Sequence, residues 1–263
     1  MNKEKDKKLV TVAGVTMKEF PKIIVVMPAF NAAKTLWHTY EGIPREIVRE
    51  VILVDDASSD DTVTLAERLN IKVIKHPHNV GYGGNQKTCY MEALRDGGDL
   101  VVMVHPDNQY DPRFISDIVK PILEGEADIV LGSRMLMPGG ALKGGMPVYK
   151  YIANRFLSAI ENMALGQSLS EFHTGYRAYS RRFLETIPFL RNSNDFVFDT
   201  QVLIQAVTFR FRIQEIPVTT KYFKEASSVN FSTSVRYGLK TLWVLFRYLL
   251  HQGRVVRAKF LVR

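Results

Sequence analysis

The chain has 263 residues, enough for one large domain or two small ones. Apolar residues make up 46% and charged residues 24%, an ordinary soluble composition, and a chain of this length buries a core without crosslinks. Cys89 is the sole cysteine, which excludes an intrachain disulfide, and no apolar run approaches the roughly 18 residues of a simple transmembrane helix.

The charge is uneven. Of the net +8, seven positive charges lie beyond Glu225, the last acidic residue: Arg236, Lys240, Arg247, Arg254, Arg257, Lys259 and Arg263. Residues 1–225 therefore carry +1. A basic tail points to an anionic partner. The first twenty residues open with charges of both signs and offer no small-residue cleavage site, so a cytoplasmic protein is expected.

In chain order, Lys22–Pro28 is a continuous apolar run of strand length, and Lys34–Gly42 has helical spacing. Glu50–Asp56 is a second buried strand. Asp60–Leu69 reads as a helix with Ser59 or Asp60 as its N-cap. Ile71–Lys75 is a third strand, followed by a glycine-rich turn over Asn79–Gly84 and a helix from Asn85 to Arg95. Leu100–Val104 is the fourth strand. Asp111 and Pro112 then start a helix that runs to Leu123. Asp128–Gly132 is the fifth strand.

Four glycines make Met137–Pro147 a mobile loop by expectation, with a helix over Val148–Leu165 behind it. Phe172–Tyr179 reads as a strand, Phe196–Val207 as a helix and Phe211–Pro217 as a last strand. Apolar strands alternating with helices predict an α/β fold, a mostly parallel central sheet with helices on both faces.

Ligands of such sheets bind at the carboxyl ends of the strands. Those ends hold Pro28-Ala29-Phe30-Asn31, Asp55-Asp56-Ala57-Ser58, His105-Pro106-Asp107-Asn108-Gln109 and Gly132-Ser133-Arg134. An aromatic, carboxylates, an imidazole, an amide and a guanidinium on one edge suit a base, a sugar and a metal-bound diphosphate. His105, Asp107 and Gln109 alternate on an extended segment and point one way. Oxygen donors favour Mg²⁺, and an imidazole tolerates Mn²⁺ better.

PAFN, VILVDDASSDDT, the glycine-rich turn, HPDNQ, GSR and HTGYRAYSR occur in this order across residues 22–220. In that order the chain resembles the family 2 glycosyltransferases, nearest the branch that makes dolichol- or polyprenyl-phosphate mannose and glucose. The resemblance implies a GT-A nucleotide-diphospho-sugar transferase fold and inverting transfer from a nucleotide sugar. It implies that Pro28, Ala29 and Phe30, Asp55 and Asp56, and the Gly83 turn bind the nucleotide. Asp107, Gln109 and His105 would hold Mn²⁺ or Mg²⁺, with His105 standing where the family has an aspartate.

Asp107 and Arg134 would meet the charge that develops on the diphosphate, and Glu171 stands where the family has an acceptor-side aspartate. His173, Arg177 and Lys221 are the candidates for acceptor phosphate. Ala32 replaces the family's glutamate after the first motif, which favours UDP over GDP. The segment Ala226-Ser227-Ser228 only partly matches the phosphate-acceptor pattern. A hydroxyl acceptor or another glycan therefore stays open beside a lipid phosphate.

Val235–Leu250 places Arg236, Lys240 and Arg247 on one helical face among aromatic and aliphatic residues. That composition reads as an interfacial helix on an anionic membrane surface, with no nucleic-acid partner. Packing on the catalytic domain, or on another subunit in a homo-oligomer, is the plainer alternative. The expected organisation is an N-terminal extension (1–21), a catalytic domain (22–225) and a basic amphipathic tail (226–263), peripheral on the inner face of the cell membrane.

Competing classes fit less well. A nucleotidyltransferase needs a glycine- and arginine-containing loop after the first strand, where PAFNAAKTL stands. A receiver-like domain would share the paired aspartates but not HPDNQ. A non-catalytic membrane scaffold remains an alternative because the first metal aspartate is replaced.

Overall fold

Side chains alternate across each central strand, and the alternation divides the interior in two. Ile24 and Val26 face one cluster while Ile23, Val25 and Met27 face the other. Ile52 and Val54 against Val51 and Leu53, and Val101 and Met103 against Leu100 and Val102, repeat the division. A sheet apolar on both faces must be covered on both.

The computed structural model describes residues 10–12, 15–17, 20–222 and 231–262. Within the N-terminal extension, β1 (Val10–Val12) and β2 (Val15–Met17) pair antiparallel. The main sheet comprises β3 (Ile23–Ala29), β4 (Val48–Asp55), β5 (Lys72–Lys75), β6 (Leu100–Met103), β7 (Ile129–Ser133), β8 (Arg177–Ser180) and β9 (Ile213–Pro217). Their spatial order is β5-β4-β3-β6-β8-β7-β9. Only β8 runs against its neighbours, pairing antiparallel with β6 and β7.

Helices α1 (Leu36–Glu41), α2 (Thr62–Arg68) and α4 (Ile115–Leu123) send Leu36, Ala66 and Ile118 into one cluster. The other face takes α3 (Tyr82–Arg95), α7 (Arg181–Thr186), α8 (Phe198–Thr208) and α9 (Phe231–Gln252). Two further helices, α5 (Gly140–Lys143) and α6 (Val148–Leu165), lie between β7 and β8 in the chain.

The predicted strand over Phe172–Tyr179 shrinks to Arg177–Ser180. Thr174 turns its hydroxyl to Gly132 O at 2.6 Å, and the chain bends there instead of pairing. The predicted mobile loop contains α5, and Gly144 packs so closely that a Cβ would sit 2.3 Å from Thr220 O. These glycines serve close approach as well as turning.

The tail is no appendage. Val244, Leu245 and Tyr248 of α9, and Ala258, Phe260 and Leu261 after it, belong to the same cluster as α3 and α8. Gln205 Nε2 donates to Phe260 O at 2.6 Å. At about 1.5–3 kcal/mol per fully buried large apolar side chain, this burial joins the tail to the domain. The described part of the tail therefore shares its core with the catalytic domain. Residues 223–230, with Glu225 and the partly matching Ala226-Ser227-Ser228, lie outside the described residues.

Candidate active site

Four strands, β3, β4, β6 and β7, deliver their carboxyl ends to one edge of the sheet. Three of the following turns hold a non-glycine residue in the left-handed region: Asn31 (φ 51°), Ala57 (φ 61°) and Asn108 (φ 56°). Such residues cost of order 1 kcal/mol or more and persist where the surroundings fix them. Asn31 N donates to Ser58 Oγ at 2.8 Å, Ser59 N donates to Asn31 Oδ1 at 2.9 Å, and Asn108 N donates to Thr39 Oγ1 at 3.1 Å.

These turns bound a cavity of about 1050 Å³, at the upper end of the usual small-molecule range. Pro28, Ala29 and Phe30 line it, and Phe30 leaves 56% of its surface uncovered. Asp56 lines it too. Its carboxylate accepts from Val80 N at 2.9 Å and Gly81 N at 3.1 Å, and meets His76 Nδ1 at 2.9 Å. Asp55 does not reach the cavity; its Oδ2 accepts from Ser58 N at 3.0 Å and shapes the turn.

Gly83 also departs from expectation. It is buried against protein: a Cβ there would stand 2.5 Å from Ser193 O and 2.7 Å from Phe198 Cβ. Its glycine serves the packing of α3 on the 193–198 segment. The neighbours Gly81 and Tyr82 line the cavity instead.

His105, Asp107 and Gln109 line the cavity together. The imidazole lies against Gly175, where a Cβ would stand 2.7 Å from His105 Cδ2. Tyr82 stacks beside it, with centroids 5.6 Å apart and its hydroxyl 3.3 Å from His105 Nε2. Burial pushes the His105 pKa down, with Asp107 opposing, so the ring is neutral at neutral pH. Burial likewise pushes the Asp107 carboxyl up, against the pull of His105 and of Gln109 N, which donates to Oδ1 at 3.0 Å.

On the far side stands Arg134. Its Nε donates to Glu171 Oε1 at 2.9 Å, its Nη1 to Tyr222 OH at 2.7 Å and its Nη2 to His173 O at 3.0 Å. A further Nη2 bond reaches Glu171. Glu171 has no exposed surface and does not line the cavity. Asn154 Nδ2 and Arg134 N also donate to its carboxylate, at 2.8 Å and 2.9 Å. Burial raises its pKa, but the Arg134 charge and these bonds win and hold the carboxyl below its usual range. Glu171, expected on the acceptor side, is therefore closed off from the cavity and committed to Arg134.

Arg177 is corrected as well. It is fully enclosed, donating to Thr174 O at 2.8 Å and Phe172 O at 2.9 Å and pairing with Asp199 at 3.6 Å. Those bonds hold the bent segment before β8. The Lys221 side chain is exposed and outside the cavity lining; its backbone N donates to Gln109 O at 2.9 Å and thereby presents Tyr222. His173 does line the cavity, between Tyr237 OH at 2.7 Å from Nδ1 and Glu161 at 3.0 Å from Nε2.

Sequence reasoning missed Tyr82, Asn154, Tyr222 and Tyr237, which also line the cavity. Tyr82 had a signal, following a glycine on a turn beside the sheet edge. The other three sit outside any motif.

A parallel sheet with one reversed strand, and a cavity at its carboxyl edge, define a GT-A transferase fold. Comparison with known proteins agrees. The glycosyl transferase family 2 model matches residues 24–188. An uncharacterized protein of Methanocaldococcus jannaschii is 30% identical, covering 85% of this chain and 90% of that protein. The UDP-N-acetylglucosamine–dolichyl-phosphate N-acetylglucosaminyltransferase of Methanococcus voltae is 28% identical, covering 89% and 98%. Polyprenol monophosphomannose synthase of Mycolicibacterium smegmatis is 25% identical, covering 78% and 79%.

Among solved structures, glucosyl-3-phosphoglycerate synthase of Mycobacterium tuberculosis in complex with UDP superimposes with a TM-score of 0.69. It is 21% identical, covering 87% of this chain and 80% of its own. The same enzyme with Mn²⁺, UDP and phosphoglyceric acid gives a TM-score of 0.65 at 22% identity, covering 90% and 80%. The chain belongs to glycosyltransferase family 2.

Proposed function

We propose that this family 2 enzyme is an inverting, cation-assisted hexosyltransferase that passes a sugar from a nucleotide-diphospho-sugar to a polyprenyl phosphate. The observation that carries this reading is the succession of Phe30, Asp56, Asp107 and Arg134 along one cavity. Phe30 offers a face to the base, and Asp56 fixes the turn beside it. Asp107 and Arg134 bracket the place where the diphosphate takes up charge as the anomeric carbon becomes oxocarbenium-like.

Bound Mn²⁺ or Mg²⁺ would neutralise part of that charge. Asp107 would hold it, with Gln109 and His105 beside it. Among the described residues no group of three or more His, Cys, Asp or Glu converges as a complete metal site. A hard cation that keeps waters and binds through one or two carboxylates plus substrate phosphates fits this donor set. The Mn²⁺ complexes of the structural relative support the same reading.

The acceptor follows from what the far side lacks among the described residues. A hydroxyl acceptor needs a base, and an ionised phosphate does not. Glu171 is committed to Arg134, Asp195 to Lys240, and Asp199 to Arg177 and Tyr82. His173 Nδ1 is bonded to Tyr237 OH, and its Nε2 lies against the buried Glu161 at 3.0 Å. Arg134 and Tyr222 suit a phosphate. The names of the two polyprenol-linked relatives support a lipid phosphate, and Ala32 and the UDP complexes support UDP over GDP. On this reading the enzyme is cytoplasmic and peripheral at the membrane. Among the described residues no helix is long and apolar enough to cross one.

A thermal-shift panel of UDP-, GDP- and dTDP-sugars with and without Mn²⁺ tests the donor. A ligand at one hundred times its Kd adds about 2.7 kcal/mol to the folded state. UDP-sugars with Mn²⁺ should give the largest shift; no shift with any nucleotide sugar would overturn the reading. Transfer of labelled sugar to polyprenyl phosphate, against a soluble alcohol, tests the acceptor.

A further inference from the structure

Large uncovered apolar side chains gather on two helices. On α6 these are Val148, Ile152, Phe156 and Met163, the last 79% exposed. On α9 they are Val235, Leu239, Trp243, Phe246 and Leu249, with Leu239 64% exposed. At the helical repeat each set forms one stripe along its helix. The opposite faces are already used, by Asn154, Ser158, Glu161 and Leu165 on α6 and Thr241, Val244, Leu245 and Tyr248 on α9.

The helices touch where Leu157 meets Gly238, at 3.6 Å from the position of a Cβ. On each helix this contact lies between the buried and exposed rows, so the two stripes adjoin. Trp243 and Phe246 pack together with centroids 5.7 Å apart. Arg236 and Arg247 border the α9 stripe, with Lys240, which also pairs with Asp195. Arg155 borders the α6 stripe, and the exposed Arg254, Arg257 and Lys259 follow. Glu161, the one acid on α6, is buried, and no acid follows Glu225.

We propose that α6 and α9 together form a docking face for an anionic lipid surface. The inference rests on the reading of a membrane-borne acceptor and adds to it a specific surface, half of it outside the basic tail. Apolar stripes with basic borders and exposed tryptophan and phenylalanine match the interfacial mode of lipid binding. A second copy of the chain fits poorly, because a two-fold contact would set basic border against basic border. The same helices wall the cavity, through Tyr149, Ala153 and Leu157 on α6 and Ser234 and Tyr237 on α9. A substrate anchored in the surface therefore reaches the Arg134 side without leaving it.

Flotation of the full-length protein with phosphatidylcholine vesicles, with and without phosphatidylglycerol, tests the proposal. Binding should require the anionic lipid for full strength and weaken with salt without vanishing. The pairs Ile152→Glu with Phe156→Glu, and Leu239→Glu with Phe246→Glu, should each reduce binding about tenfold or more, a loss of at least about 1.4 kcal/mol. Both should keep the wild-type melting temperature and nucleotide-sugar shift. Absence of vesicle binding by wild type, or full binding by the α6 pair, would overturn the proposal. So would a wild-type dimer, by sedimentation, that either pair dissociates. Loss of nucleotide-sugar shifts with vesicle binding intact would count against the donor reading alone and leave the docking face standing.

Discussion

On the strand-end side of the cavity, residues are fixed by bonds from one turn to the next: Asn31 by Ser58, Asp56 by Val80 and Asn108 by Thr39. Backbone N–H groups and small side chains do that work. On the helix side, Arg134 is held by Glu171, 37 residues away, and by Tyr222, 88 away, and His173 meets Tyr237 across 64. Buried charge supplies the cohesion there. One side is held by backbone N–H groups at low cost; the other depends on complete pairing of buried side chains. The two should therefore fail differently when altered.

The largest effect is expected from breaking the helix side at its buried pair. Glu171→Gln leaves the Arg134 charge without its partner and should cost about 3–5 kcal/mol, read by denaturant unfolding. The pH dependence has a definite sign. Because the folded Glu171 pKa is depressed, its contribution is present above the unfolded value of about 4.3. It is lost as pH falls through the folded value, and the variant should lack this acid limb.

On the strand-end side, Asp107→Ala should lower transfer about 10²–10³-fold, the scale of one electrostatic stabiliser. Its unfolding midpoint should stay near wild type. Unchanged turnover would remove Asp107 from the chemistry.

Gly175→Ala sharpens the boundary between the sides, since the new methyl would displace the His105 ring. Overpacking of about 1–3 kcal/mol is expected in stability, with a larger proportional loss in Mn²⁺-dependent nucleotide-sugar shift. Phe30→Ala should barely change stability, because the ring is mostly exposed. Loss of a base–aromatic contact, about 1–3 kcal/mol, should weaken donor binding in calorimetry. The subtlest change is His105→Asp, which should move metal preference toward Mg²⁺ in an activity titration. A titration unchanged from wild type would mean that the ring is no ligand.

The same contrast explains what could be read in advance. β3, β4, β6 and β7 are continuous apolar runs with motifs at their ends, so sheet and strand-end residues were legible from position alone. Glu171 and Arg177 carry the right chemistry in the right motif, but nothing local reveals that Arg134 and Asp199 consume them. Gly81–Gly84 reads as a turn, yet α3 begins at Tyr82, and Gly81 and Gly83 let the 193–198 segment approach. Tyr222 and Tyr237 join the cavity only through long-range packing, for which no spacing rule exists.

Helix α9 combines three roles along its length. One row lies in the core, Tyr237 and Ser234 face the cavity, and the outer row meets solvent. Occupancy of any one face by something that recognises only the folded helix raises the stability of the whole cooperative unit. Where two such occupants favour the same helix position, each strengthens the other by an equal factor. A donor in the cavity and a surface against the outer row would then be reciprocal effectors, coupled through a shared folded element with no contact between them.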